Sequence, residues 1–397
     1  MVDIEGRCDE RFVAVEEAFR ANFDEGLDVG ASTAVFADGE LVVDLWGGHV
    51  DRERTRPWAQ DTIINVFSSS KTMTFLTALV LVDRGELDLS APVARYWPSF
   101  AASGKDQVQV RHLLGHTAGL SGWDEKLEPA DLYDWEKCTS LLAAQAPWWE
   151  PGTKSGYHGL TQGYLIGEVV RRVTGETIGT VFARELAGPL GADFHIGLPP
   201  EHDDRVVRVI PPPPPAKPVD APADGLDGDS ATLAGAGGFD RSSIGYRTFA
   251  NPLLTARQSW EEAWRRAEVP AANGHGNARS VATVQAVVAG GGELGGRRLL
   301  SEAICQRIFE VQAAGRDLVL GVGVTFGIGY GLNSPKAPIG PNPRICYWGG
   351  WGGSLVVADL DARLCVAYVM NRMGEGTVGD QRAHRILQAA HRVLATA

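Results

Sequence analysis

The residues whose types and spacing could do chemistry begin with Phe67-Ser68-Ser69-Ser70-Lys71, a serine three positions before a lysine at the start of an apolar run. On a helix, positions i and i+3 share a face, so the Ser68 hydroxyl and the Lys71 amine come within hydrogen-bond reach. A hydroxyl becomes a good nucleophile when a base removes its proton, and a lysine can be that base once burial depresses its pKa. Phe67, Met73 and Phe75 are neighbours of the kind that would do so. A serine at a helix N-terminus also offers its backbone N–H and the helix dipole to a developing oxyanion. Taken alone, the motif equally fits an N-capping serine run followed by a surface lysine.

Two further segments carry groups that would complete such a centre. The turn-rich run Trp148-Trp149-Glu150-Pro151-Gly152-Thr153-Lys154-Ser155-Gly156-Tyr157-His158-Gly159 delivers one tyrosine just before a helix beginning near Leu160. A phenol there could share a proton with the Ser–Lys pair and pass it to a leaving group, or it could simply anchor the loop. Near the other end, Tyr347-Trp348-Gly349-Gly350-Trp351-Gly352-Gly353-Ser354 leads into a strand. Its glycines allow a backbone to approach a ligand closely, and an N–H on that edge could be a second oxyanion donor.

Composition narrows the classes these groups can belong to. The chain has 397 residues, 44% hydrophobic and 22% charged, with a mean hydropathy of −0.10. At roughly 100–200 residues per domain, that is room for two structural regions and a large core without disulfides or metals. A formal charge of −12, a pI near 5.3 and the lack of any Lys/Arg-rich run exclude a nucleic-acid partner. The longest nearly unbroken apolar run, Met73 to Val82, is half of a membrane span, and the acidic, amphipathic start is unlike a signal peptide. The chain therefore reads as cytoplasmic, with no membrane partner. Cys8, Cys138, Cys305, Cys346 and Cys365 are odd in number and never paired as C-x-x-C, so they read as reduced, mostly buried thiols. The nine histidines form no metal-ligand spacing, and no cofactor or metal is expected.

The elements that must position the three motifs follow from periodicity. Asp9 to Asp24 places Phe12, Val13, Val15, Phe19 and Phe23 at helical spacing, and the strand-like runs Ala31 to Phe36 and Leu41 to Trp46 join at Asp38-Gly39. Ser354 to Ala358 and Arg363 to Met370 predict a second hairpin, and Gly379 to Ala397 a closing helix. Ser69 to Asp83 and Thr161 to Thr174 predict helices between them. The expected fold is α+β: an antiparallel sheet from residues 1–60 and 310–397 flanked by terminal helices, with a mainly helical region inserted at 61–309. Within that insertion, the Pro/Gly-rich stretch 211–238 reads as a long surface loop.

Taken in order, S-x-x-K, the P-G-T…Y turn and the Gly-rich strand edge, together with His112-Leu113-Leu114-Gly115-His116-Thr117-Ala118-Gly119-Leu120, strongly resemble the serine β-lactamase-like superfamily. The closest likeness is to class C β-lactamases and the family VIII carboxylesterases that share their fold. Gly85-Glu86-Leu87-Asp88-Leu89 and Gly276-Asn277-Ala278-Arg279-Ser280 extend the resemblance, which runs from near Glu10 to the C-terminus. The resemblance implies a β-lactamase/transpeptidase-like fold and an acyl-enzyme mechanism. Ser68 would be the nucleophile, Lys71 its base and Tyr157 a proton relay, with the oxyanion between the backbone N–H groups of Ser68 and Trp351.

Two departures from the family pattern bear on the substrate. The asparagine usual two positions after the tyrosine is Gly159 here, and the cation usual in the third motif is Trp348. Both changes replace polar recognition with space or aromatic surface, favouring a neutral acyl group over an anionic substrate. Trp123, Trp149, Trp348 and Trp351, with Gly349, Gly350 and His158, are the candidate substrate-binding residues. His158 is placed to tune Tyr157, His116 reads as structural, and His275 is a further histidine that could reach the cleft. The expected function is a serine hydrolase acting on short-chain or aryl carboxylic esters, its partner a small-molecule ester. No G-x-S-x-G is present to support an α/β-hydrolase route. Amidase, peptidase or β-lactamase activity on the same centre, acyl transfer, and a non-catalytic scaffold are the alternatives. Oligomeric state is not set by these features.

Overall fold

Phe12, Val15, Phe19 and Phe23 all fall on one buried face of the N-terminal helical segment, whose α-helix spans Val13–Asp24. In this computed structural model, which describes residues 2–212, 240–374 and 379–395, that face packs against the closing helix Gln381–Ala395 and one side of a nine-stranded sheet. The strands lie in the order Ile4–Cys8, Glu40–Gly48, Gly30–Ala37, Leu364–Met370, Leu355–Asp359, Ile345–Gly349, Gly331–Leu332, Gly323–Phe326 and Ala313–Arg316. Every neighbouring pair is antiparallel. The two hairpins read from the sequence are present, and the second places its strand Leu364–Met370 beside Gly30–Ala37, joining the two ends of the chain.

The central strands are buried on both faces, so they carry apolar residues at nearly every position rather than in alternation. Ala31, Val35 and Ala37 face the terminal helices, while Ala34 and Phe36 face a larger core. That second core contains the helix Ala278–Ala289, which lies against the sheet although it falls within the 61–309 stretch of the chain. It also contains the helices Lys71–Asp83 and Thr161–Thr174. Lys71–Asp83 is apolar all round and buried along nearly its whole length, as a helix at the centre of a large core must be. Thr161–Thr174 ends at Gly175, which takes the left-handed conformation that closes a helix.

Among the described residues, no helix is long and apolar enough to cross a membrane. The five cysteines are free, four of them buried. The stretch read as a loop at 211–238 lies, apart from Pro211 and Pro212, outside the described residues.

Candidate active site

The site is built on the turn before the buried helix. Phe67 has a left-handed backbone, φ 46°, a costly conformation for a bulky residue. The turn Phe67–Ser70 is a 3-10 turn, and regular α-helix begins at Lys71, two residues later than the sequence pattern predicts. Ser69 and Ser70 hold this turn in place. Ser70 Oγ donates to the Phe67 carbonyl and accepts from the Gly274 N–H, and Ser69 Oγ lies 3.0 Å from Ser354 Oγ. Ser68 lines the cavity. In a 3-10 turn residues i and i+3 eclipse, and Lys71 Nζ stands 3.3 Å from Ser68 Oγ.

Lys71 is fully buried, and its Nζ also donates to the carbonyl oxygens of Gly159 at 2.6 Å and Ala271 at 2.9 Å. Burial holds its pKa well below the ordinary lysine value. A neutral amine has two N–H bonds and one lone pair. In that form the two carbonyls would take the N–H bonds and leave the lone pair for the Ser68 hydroxyl. Tyr157 Oη donates to Ser68 Oγ at 2.8 Å. Burial pushes its phenol pKa up, while its hydrogen bonds with Ser68 and Trp348 pull it the other way. The lysine and tyrosine shifts have opposite signs and one effect: burial favours the uncharged form of both partners of Ser68.

Tyr157 is positioned by residues that do not touch the cavity. The buried Asp317 accepts from the backbone N–H groups of Tyr157 at 3.0 Å and of Val319 and Leu320 at 2.9 Å. His158 Nε2 accepts from the Leu120 N–H at 3.1 Å, and its other ring nitrogen lies 2.6 Å from the Gly156 carbonyl oxygen. His116 Nδ1 accepts from the His158 N–H at 3.0 Å. Burial lowers the pKa of His158 to about 4 and drives that of His116 well below its ordinary value, so both rings stay neutral.

The cavity has a volume of about 250 Å³. Ser68, Tyr157, Trp348, Gly349 and Trp351 line it, joined by Phe249, Leu254 and Trp264 and by Leu320, Val322, Val324 and Phe326. None of the described residues lining it carries a formal charge. Gly159 explains part of this character: a Cβ there would come 2.7 Å from the Phe249 ring, so an aromatic face fills the space of a side chain. Trp348 stacks on His116 with ring centroids 5.3 Å apart and meets Phe75 edge-on at 5.4 Å.

Several residues expected at the substrate lie elsewhere. Gly350 sits behind the wall, where a Cβ would come 2.2 Å from the Val66 carbonyl oxygen; its glycine lets the strand end approach the Ser68 turn. Trp149 Nε1 donates to the Lys154 carbonyl and its ring meets His158 edge-on, which makes it a brace for the tyrosine loop. Trp123 donates to the Cys138 carbonyl and packs on Tyr164. His158 uses both ring nitrogens on backbone groups, and His275 is buried with one ring nitrogen 2.8 Å from the Asn273 carbonyl oxygen. None of these lines the cavity. Sequence reasoning missed Asp317, Phe249 and the hairpin wall. The available signal was an aspartate followed by two apolar residues after a glycine, the composition of a side chain capping its own turn.

A buried Ser–Lys–Tyr cluster on a helix-covered antiparallel sheet defines a class, and the comparisons agree with it. The Beta-lactamase family model matches residues 19–391, and the chain belongs to that family. It is 36% identical to Esterase/beta-lactamase LipL of Mycobacterium tuberculosis, over 97% of this chain and 88% of that protein. It is 35% identical to Esterase EstB of Burkholderia gladioli, over 43% of this chain and 48% of that protein. A solved family VIII carboxylesterase superposes with a TM-score of 0.88 at 42% identity, covering 98% of this chain and all of that one. The chain is a carboxylesterase-type serine hydrolase with the β-lactamase-like fold.

Proposed function

We propose that this enzyme cleaves neutral short-chain or aryl carboxylic esters through an acyl-enzyme on Ser68. The observation that carries the reading is that Ser68 Oγ contacts both Lys71 Nζ and Tyr157 Oη in the wall of an uncharged cavity. Neutral Lys71 takes the Ser68 proton as Oγ bonds to the ester carbonyl carbon. The carbonyl oxygen gains the electron pair and is held by the backbone N–H groups of Ser68 and Trp351, where loss of one donor typically costs about 10²–10³ in turnover. The tetrahedral centre collapses and the alcohol leaves with a proton from Tyr157, which the Lys71 ammonium then restores. Water attacks the acyl-serine by the same route in reverse, giving the carboxylic acid and free Ser68.

A second reading, β-lactam hydrolysis, is favoured by the relative from Mycobacterium tuberculosis that bears both activities in its name. Against it stand Gly159 backed by Phe249 and the indole of Trp348, with no lining cation among the described residues for a β-lactam carboxylate. Hydrolysis of p-nitrophenyl butyrate and of nitrocefin by the wild type and by Ser68→Ala separates the readings. Strong Ser68-dependent ester cleavage with weak β-lactam cleavage is the expected result. Equal ester cleavage by Ser68→Ala removes Ser68 from the mechanism, and faster β-lactam than ester turnover reverses the order of the two readings.

A further inference from the structure

Beside Ser68 and the tyrosines Tyr157 and Tyr347, two polar side chains interrupt the apolar wall, Thr255 and Gln258. They belong to the short turn Ala256–Trp260 and its cap. The Gln258 Oε1 accepts from the Thr255 backbone N–H at 2.7 Å and from the Thr255 hydroxyl at 2.7 Å. A backbone N–H can only donate, so these bonds fix which end of the amide is oxygen. The Nε2 group is then the other end of the amide, and among the described residues none accepts a hydrogen bond from it. The result is a rigidly held two-proton donor in a cavity whose described lining is mostly apolar.

We propose that Gln258 is a specificity-determining residue whose Nε2 donates to a neutral acceptor oxygen, keto, ether or amide, on a chain of the bound ester. The assignment rests on Ser68-dependent ester cleavage. Apolar pockets take their orientation and selectivity from a few fixed polar groups, and a donor left unmatched in such surroundings penalises the substrate that lacks its partner. A carboxylate is the wrong occupant, since none of the described lining residues offers it a counter-charge. The acceptor belongs to either the acyl or the alcohol portion.

Two pairs of esters of matched length test this. On the acyl side, p-nitrophenyl levulinate is compared with p-nitrophenyl pentanoate; on the alcohol side, butoxyethyl butyrate with heptyl butyrate. Each kcat/KM ratio is divided by the ratio for hydroxide-catalysed hydrolysis, which removes intrinsic reactivity. The wild type is expected to favour the oxygen-bearing ester in one pair, and the arm that responds identifies the portion that reaches Gln258. Gln258→Glu keeps an oxygen for the Thr255 cap and replaces the donor with an acceptor. Its preference should fall by about tenfold or more, the scale of one hydrogen bond matched against one unmatched. Gln258→Met, which has neither donor nor charge, should lose the same preference. A corrected wild-type ratio near one in both pairs overturns the proposal even if neither variant folds. So does a preference that survives both substitutions. Absence of Ser68-dependent hydrolysis of all four esters would instead defeat the ester reading itself.

Discussion

Lys71 Nζ donates to the Gly159 carbonyl oxygen at 2.6 Å, so the residue whose missing side chain admits the Phe249 ring also holds the base beside Ser68. Substrate shape and proton transfer are thereby tied to one backbone position. A bulkier residue at 159 would press on Phe249 and, through the same peptide, on the lysine.

The first prediction concerns Lys71. Arginine stays charged at every accessible pH, so Lys71→Arg should lower turnover by about 10²–10⁴ while Lys71→Ala does the same without the charge. Because burial lowers the Lys71 pKa, the active neutral amine forms as pH rises through that depressed value, and kcat/KM should climb there and then level off. Near-wild-type rates for p-nitrophenyl butyrate in either variant would remove Lys71 as the base.

Trp348 packs between His116 and Phe75, where the resemblance leads one to expect a cation. Trp348→Lys should slow cleavage of neutral esters and raise the relative rate for carboxylate-bearing esters by about tenfold, at a cost in melting temperature from the lost packing. An unchanged substrate ratio in a folded variant means that Trp348 does not set charge preference.

Asp317 holds Tyr157 and the hairpin wall through three backbone N–H groups. Removing the carboxylate in Asp317→Ala leaves these donors unmatched at about 1–3 kcal/mol for each buried group, and both the melting temperature and kcat should fall. Asp317→Asn retains the accepting oxygen and should restore most of both. If the alanine variant turns over butyrate esters as the wild type does, Tyr157 is held by other contacts.

Acid should unlatch the tyrosine loop. His158 has a folded pKa of about 4 against an ordinary value near 6.5, so between those values the unfolded chain binds the extra proton. The penalty is nil above the unfolded value, grows as pH falls through this window, and stops growing below about 4. Urea midpoints measured from pH 7 to pH 4 should decline, and His158→Asn should flatten that decline. A variant slope equal to the wild-type slope would show that other buried groups carry it.

Much of the fold is legible in the chain itself because its signals are local. The terminal helices and both hairpins follow from periodicity and turn residues that act within a dozen positions. The helix start is the exception. Ser69 reads as its first residue, yet the left-handed Phe67 and the hydroxyl bonds to Gly274 and Ser354 tighten the turn to 3-10 geometry, contacts made across more than two hundred positions. The tryptophans show the same limit. Trp348 and Trp351 sit in a glycine-rich run and Trp123 and Trp149 do not, but only packing sends the first pair to the cavity and the second into loop cores.

What the sequence by itself determined was the chemistry on offer: a serine, a lysine and a tyrosine in spaced motifs, with a glycine at 159 and an indole at 348. Those are properties of residue identity, and identity is written in the chain. Tertiary structure alone decided the protonation and the reach of these groups. Burial favours the neutral form of Lys71 and the protonated form of Tyr157, Asp317 fixes the tyrosine from 160 positions away, and Thr255 aims the Gln258 amide. Each depends on dielectric and distance, and both exist only once remote segments have packed together.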